Sequence, residues 1–144
     1  MRKTPSVFLL GVFLSCLVPS LAQQQQHFYN IDKEIHIKGS IKDIIMEPRY
    51  KNSSPFLVVV LEDKENQKIY NIEVSPIWFF ENDFHKGEDL HVTGSPYTTA
   101  ENEQNVIARE VRFRGETLVL RDKHGFPTWR GQGKGKGRKR GKNF

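Results

Sequence analysis

The order of apolar and polar segments predicts an all-β fold with one short helix. Three candidate strands are followed by a short helical segment and two further strands, and Gly39 interrupts the first strand. A glycine inside a strand is typical of the bend or bulge that a barrel corner requires. This order matches the OB-fold, so we expect an OB-fold-like five-stranded Greek-key barrel with an extra C-terminal strand. Another small β-barrel, or an open sheet with one helix, is the alternative.

Apolar residues that alternate with polar ones predict each strand. In the first strand, Ile35, Ile37 and Ile41 fall on one face, and in the third the same alternation turns Tyr70 inward. A turn-rich stretch separates the first strand from the second, which is almost continuously apolar. The predicted strands cover residues 34–46, 56–62, 68–74, 88–94, 105–113 and, as the added strand, 117–121.

The segment after the third strand carries a helix-start signal. Ser75 is a favoured N-cap residue and Pro76 suits the first helical position. Residues 77–87 then carry aromatic side chains at helical spacing and end at Gly87, which predicts about three turns of helix. An aromatic run within a sheet is the alternative.

The first 22 residues predict a secretory signal peptide. Arg2 and Lys3 precede a stretch of 12 residues, 7–18, that is mostly apolar, and Ser20 and Ala22 place small residues before a cut. The apolar stretch is short for a transmembrane helix, and a buried or membrane-anchoring N-terminal helix is the alternative. We therefore expect an exported protein, periplasmic or secreted.

Cys16 is the only cysteine of the chain. Lipoprotein processing at Cys16 is a less favoured alternative, because the apolar run continues past it. Cleavage after Ala22 removes this cysteine, so the mature chain has neither a disulfide framework nor a cysteine-rich zinc site. The mature chain also contains no other apolar run long enough to span a bilayer.

The formal net charge of +5 conceals an uneven distribution of charge. Residues 23–129 contain 13 basic and 17 acidic side chains, whereas residues 130–144 contain seven basic and no acidic ones. We therefore divide the chain into a signal peptide (1–22), a polar linker (23–30), a barrel domain (31–129) and a disordered basic tail (130–144). The predicted polyanion-binding residues are Arg130, Lys134, Lys136, Arg138, Lys139, Arg140 and Lys142.

No motif in the sequence predicts catalysis. There is no G-x-S-x-G elbow, no glycine-rich phosphate loop before a helix and no H-E-x-x-H pair of zinc ligands. We therefore expect a non-enzymatic protein without a cofactor. His36 and His91 are weak metal candidates, since they point away from the barrel interior on strands that are neighbours in an OB-fold, but two ligands rarely suffice.

The usual ligand surface of an OB-fold is the face of strands two and three with its flanking loops. Five side chains are candidates for stacking on or pairing with a ligand there: Tyr50, Lys68, Tyr97, Arg112 and Arg114. Nucleic acid is therefore a possible partner, although the net negative charge of residues 23–129 argues against a strong phosphate groove.

The ending D-K-H-G-F-P-T-W predicts a structural clasp, with a binding motif as the alternative. We expect Gly125 to supply a turn with positive φ, Pro127 to fix the extended chain that follows, and Trp129 to cover one end of the barrel.

Residues 85–131, which include this ending and cover roughly a third to a half of the chain, resemble the C-terminal half of small exported bacterial OB-fold-like proteins of largely unknown function. In those proteins a G-D-x-V-x-V-x-G strand precedes an extra strand and a D-x-x-G-x-P-x-W ending. The matching residues are Gly87, Asp89, Val92, Gly94, Asp122, Gly125, Pro127 and Trp129. The resemblance implies the fold and export, and it supplies no catalytic residues.

Together these features predict an exported binding module whose basic tail contacts an anionic polymer or a membrane surface. An extracytoplasmic nucleic-acid-binding protein and a metal-associated periplasmic accessory protein are the alternatives. The sequence does not indicate the oligomeric state.

Overall fold

A computed structural model describes residues 28–80 and 83–130, and the fold within those ranges is almost entirely β. One 3-10 helix, Ile31–Lys33, precedes six strands. The strands are β1 (Ile35–Glu47), β2 (Phe56–Asp63), β3 (Ile69–Pro76), β4 (Asp89–Thr98), β5 (Gln104–Phe113) and β6 (Glu116–Val119). The predicted signal peptide, most of the predicted linker and residues 131–144 of the predicted tail lie outside the described residues.

Five strands close into a barrel. Antiparallel pairing joins β1 to both β2 and β4, β2 to β3, and β4 to β5. A parallel pairing of β3 with β5 completes the ring, and β6 pairs with β5 outside it. This is the connectivity of an OB-fold with one added strand, so the predicted fold class is confirmed.

Strand β1 bends so that it can pair along both of its edges. Gly39 faces Asp63 on one side and Leu90 on the other, and the register with β2 shifts between Ile41 and Asp43. A Cβ atom at Gly39 would lie 2.5 Å from the backbone oxygen of Glu62. The glycine therefore permits a close approach of two strands, next to the irregular part of β1 that its position in the sequence predicted.

The barrel interior is filled by the faces that the alternation predicted. Ile37 and Ile41 of β1 are 2% and 1% exposed, and Tyr70 packs against the same core. The other strands contribute buried aliphatic side chains, and Phe84 and Phe113 also belong to this cluster. The members from β2 to β5 include Leu57, Val59, Leu61, Ile72, Val74, Leu90, Val92, Val106, Ala108 and Val111.

The predicted helix after Ser75-Pro76 is wrong, because none of the described residues between β3 and β4 is helical. Ser75 and Pro76 are buried at the end of β3, where they pair with Leu57 and Phe56. The Ser75 hydroxyl donates to the carbonyl oxygen of Pro76, so it does not cap a helix. Aromatic residues of this segment pack against the barrel core instead. The ring of Phe84, for example, lies 4.9 Å from that of Phe113.

Candidate functional site

A cleft of about 520 Å³ opens at one end of the barrel. Its walls come from four separate parts of the chain: the residues before β1, the β1–β2 loop with the start of β2, the end of β3, and the segment after β6. Half of the lining residues are Phe, Tyr or Trp. The lining residues are Phe28, Tyr29, Tyr50, Ser53, Ser54, Phe56, Pro76, Trp78, Arg121, His124, Gly125, Phe126, Pro127 and Trp129.

The segment after β6, residues 120–130, folds back as the predicted clasp. The Asp122 carboxylate accepts hydrogen bonds from the backbone N–H groups of His124 (2.8 Å) and Phe126 (3.0 Å). These backbone N–H groups, with Phe126 the largest contributor, hold the pKa of Asp122 below its usual value. Gly125 has φ 85°, as predicted, and Arg121 forms a β-bridge with Pro127.

Trp129 covers this end of the barrel, in agreement with the sequence. Its ring lies 6.1 Å from that of Phe56 and 5.4 Å from that of Phe79, and it packs against the core. Tyr50 extends the aromatic cluster, with its ring 5.0 Å from that of Phe56. The clasp therefore closes the barrel and builds one wall of the cleft.

Arg121 is the buried cation of the cleft, with 8% of its surface exposed. Its guanidinium carbon lies 5.2 Å from the ring centre of Trp129 and 5.8 Å from that of Tyr29. Nη1 donates to the carbonyl oxygen of Gly125 at 3.1 Å, whereas the buried Nε has no hydrogen-bond partner among the described residues. Burial lowers the pKa of this arginine, because desolvation disfavours its charged form.

Glu73 organises the outer face of β2, β3 and β5. It is 1% exposed, and it accepts hydrogen bonds from Tyr50 (3.0 Å) and Tyr97. Arg49 lies 3.6 Å from the same carboxylate. Burial, reinforced by the negative charge of Glu73, raises the pKa of both tyrosines.

The neighbours of Glu73 on that outer face are also buried. Glu73 pairs with Val58 of β2 and with Ile107 of β5, which are 0% and 1% exposed. Neither residue belongs to the core inside the barrel. The chain itself therefore covers the end of the β2–β3 face around Glu73, whereas Ile69 on the same face is 46% exposed.

The five residues predicted for the OB face do not form one surface. Tyr50 and Tyr97 meet at Glu73, whereas Lys68 lies exposed in the β2–β3 turn, at the far end of β2 from Tyr50. Arg112 lines a different groove, and Arg114 donates to Glu88 at 2.5 Å near the start of β4.

The groove that Arg112 lines also contains both predicted metal candidates. His36 and His91 lie on the outer face of the adjacent strands β1 and β4, and both line this groove of about 360 Å³. The His36 ring is 2.9 Å from the Thr93 hydroxyl. Among the described residues, no group of three histidine, cysteine, aspartate or glutamate side chains is placed to hold a metal ion.

Of the predicted polyanion-binding residues, the structure describes Arg130 alone. Arg130 is exposed and its guanidinium carbon lies 5.2 Å from the ring centre of Phe126, at the rim of the cleft. Lys134, Lys136, Arg138, Lys139, Arg140 and Lys142 lie outside the described residues.

Sequence reasoning did not identify Arg121 or Trp78 as site residues. Arg121 directly follows an apolar strand and precedes the D-x-x-G turn. A cation at such a position is the sequence feature that could have identified it as a site residue. The convergence of Tyr29, Phe56 and Arg121 depends on long-range packing, which local spacing does not report.

Within residues 28–80 and 83–130, no helix has the length and apolar character needed to cross a membrane. Comparison with curated proteins gives no match. The model of the MamS/MamX magnetosome protein family matches residues 33–118, more than half of the chain. The matched residues include β1 to β5 and end before the clasp, so Arg121 and Trp129 lie beyond them. The chain therefore belongs to the MamS/MamX magnetosome protein family.

Proposed function

We propose that this protein is an exported, non-enzymatic OB-like binding module whose basic C-terminal segment contacts an anionic surface or polymer. The observation that carries the proposal is the separation of charge along the chain. Seven basic and no acidic residues lie in residues 130–144, whereas acidic residues outnumber basic ones in residues 23–129. Such a segment binds anions through counterion release, which is sensitive to salt. The name of the family suggests that this role is associated with the magnetosome.

The point at which the basic segment leaves the barrel supports this proposal. Arg130 stands beside the exposed Phe126 at the cleft end, where Trp78 is also 49% exposed. Aromatic rings beside cations suit an anionic interface, because the rings bury apolar surface while the cations pair with the anions. A surface that binds the basic segment therefore also meets exposed aromatic side chains.

Burial of the β2–β3 face favours the basic segment over the barrel as the polyanion-binding element. Val58, Glu73 and Ile107 are buried on that face, and the carboxylate of Glu73 adds a negative charge that disfavours a phosphate backbone nearby. The alternative of nucleic-acid binding through the OB face is correspondingly disfavoured.

Chromatography on immobilised heparin tests the proposal. The exported form, residues 23–144, is compared with the variant in which the six basic residues after Arg130 are replaced by glutamine. We expect the variant to elute at markedly lower salt, since each lost contact lowers the slope of log affinity against log salt by roughly 0.7 to 0.9. Glutamine at the exposed Lys38 and Lys68 of the barrel is the control, with unchanged elution expected. If the variant elutes with the unchanged protein, the basic segment does not bind the polymer.

Binding assays with the same variants distinguish between the two kinds of anionic partner. Co-sedimentation with vesicles of anionic phospholipid, but not with neutral vesicles, would indicate a membrane surface as the partner. Binding to duplex DNA in solution, without co-sedimentation with anionic vesicles, would indicate a polymer. Binding to anionic and neutral vesicles alike would contradict an electrostatic contact.

A metal-associated accessory role is the second candidate, and the shared groove of His36 and His91 favours it. Two imidazoles leave a transition metal with open coordination positions, which other groups must fill. Zinc or copper uptake that disappears in His36→Ala/His91→Ala would support this role, and no uptake by the unchanged protein would end it.

A further inference from the structure

The cleft at the barrel end combines a buried cation with exposed aromatic walls. We propose that it binds a small organic anion, whose carboxylate, phosphate or sulfonate pairs with Arg121 and whose planar apolar body lies against Trp78 and Phe126. The inference rests on the proposed function only in that the barrel is a binding module. It does not depend on the basic segment, and residues beyond the family match supply its central cation.

The first argument is that Arg121 has no carboxylate in direct contact, although the charge of Glu73 acts on it from a longer distance. Among the described residues, no carboxylate lies within ion-pair distance of its guanidinium, which donates to the Gly125 carbonyl and leaves Nε unpaired. The nearby carboxylate of Glu73 is engaged by Tyr50, Tyr97 and Arg49. Burying a cation without a counter-ion costs free energy, and an anion entering the cleft would offset this cost.

The second argument is the character of the walls. Phe28, Trp78 and Phe126 are 76%, 49% and 52% exposed, which is unusual for large aromatic side chains. The cleft volume of about 520 Å³ lies within the range typical of small-molecule sites, about 300–1,000 Å³. Flat apolar walls around one buried charge favour a ligand with a planar body and a single anionic group.

The chain supplies its own reporter for this site. Its two tryptophans, Trp78 and Trp129, both line the cleft. Intrinsic tryptophan fluorescence therefore reports occupancy of the cleft directly. The titrations are made at about 0.5 M salt, where exposed charges are strongly screened, so that the basic segment does not bind the probe.

The experiment compares two probes that share an aromatic body. 1-Anilinonaphthalene-8-sulfonate carries an anionic group, whereas N-phenyl-1-naphthylamine is its neutral analogue. Both are titrated against residues 23–144 and the variants R121Q, R112Q and W78A. We expect the sulfonate to bind at least tenfold more tightly than the neutral probe, with tryptophan quenching. R121Q should abolish that preference and leave neutral-probe binding intact, R112Q should change neither, and W78A should weaken both.

Equal binding of the two probes by the unchanged protein would overturn the proposal, as would an R121Q variant that keeps the preference. If circular dichroism shows that R121Q has lost the barrel, W78A decides, because Trp78 is half-exposed and its loss leaves the core intact. Unchanged binding of both probes by W78A would then reject the cleft. Heparin elution of R121Q separates the two proposals. If the basic segment binds heparin, R121Q should elute at the same salt concentration as the unchanged protein.

Discussion

Removal of the Trp129 ring tests whether the clasp stabilises the barrel. Trp129 is partly buried and contacts the rings of Phe56 and Phe79 and the guanidinium of Arg121. Truncation of a fully buried Trp to Ala costs about 3–5 kcal/mol. Because Trp129 is only partly buried, we expect Trp129→Ala to lower the free energy of unfolding by about 2–3 kcal/mol, a large fraction of the 5–15 kcal/mol typical of a domain.

Urea denaturation followed by far-ultraviolet circular dichroism measures this loss without relying on tryptophan emission. With a slope of about 1–3 kcal/mol per molar urea, the midpoint should fall by about 1–2 M at unchanged slope. Trp78→Ala is the matched control, since Trp78 is 49% exposed and the expected change is below about 1 kcal/mol. If the midpoint of Trp129→Ala falls no further than that of Trp78→Ala, the clasp does not contribute to the stability of the barrel.

Two further predictions concern strand packing and acid stability. A Cβ at Gly94 would lie 2.4 Å from the backbone oxygen of Ile107, so we expect Gly94→Ala to lower stability by about 1–3 kcal/mol in the same urea assay; an unchanged midpoint would contradict this contact. The hydrogen bond from Arg109 holds the pKa of Glu34 below its usual value, so the pair stabilises the fold above that usual value. This contribution is lost as the pH falls through the lower pKa of the folded state. The temperature of thermal unfolding should fall less steeply between pH 7 and pH 3 in Glu34→Gln than in the unchanged protein. Parallel curves for the two proteins would show that the Glu34–Arg109 pair does not contribute to acid sensitivity.

Local patterns sufficed where neighbouring residues determine the structure. The alternation of Ile37 and Ile41 predicted β1, and Gly39 predicted an irregularity in that strand, which the register shift between Ile41 and Asp43 shows. The Asp122–Trp129 ending predicted its own turn, because the carboxylate and the glycine act within a few residues of each other. Such interactions join residues that are close in the sequence, so a short segment is enough to predict them.

The same reasoning failed where tertiary pairing overrides a local signal. Ser75-Pro76 is a helix-start signal in isolation, but pairing with Phe56 and Leu57 keeps both residues in β3. The long-range contacts of Tyr50 and Tyr97 were also not predicted, since both hydroxyls donate to the buried Glu73. Long-range hydrogen bonds of this kind have no signature in a single sequence.

Coverage of the β2–β3 face changes where binding is expected in this barrel. An OB-fold that binds on that face leaves it open, but here the part around Glu73 is buried and holds the hydroxyls of Tyr50 and Tyr97. The exposed aromatic side chains and the cation without a carboxylate partner lie instead at the barrel end, around Trp78 and Arg121. The basic segment also begins there, at Arg130. The proposed contact of residues 130–144 with an anionic surface therefore predicts that the cleft lies close to that surface.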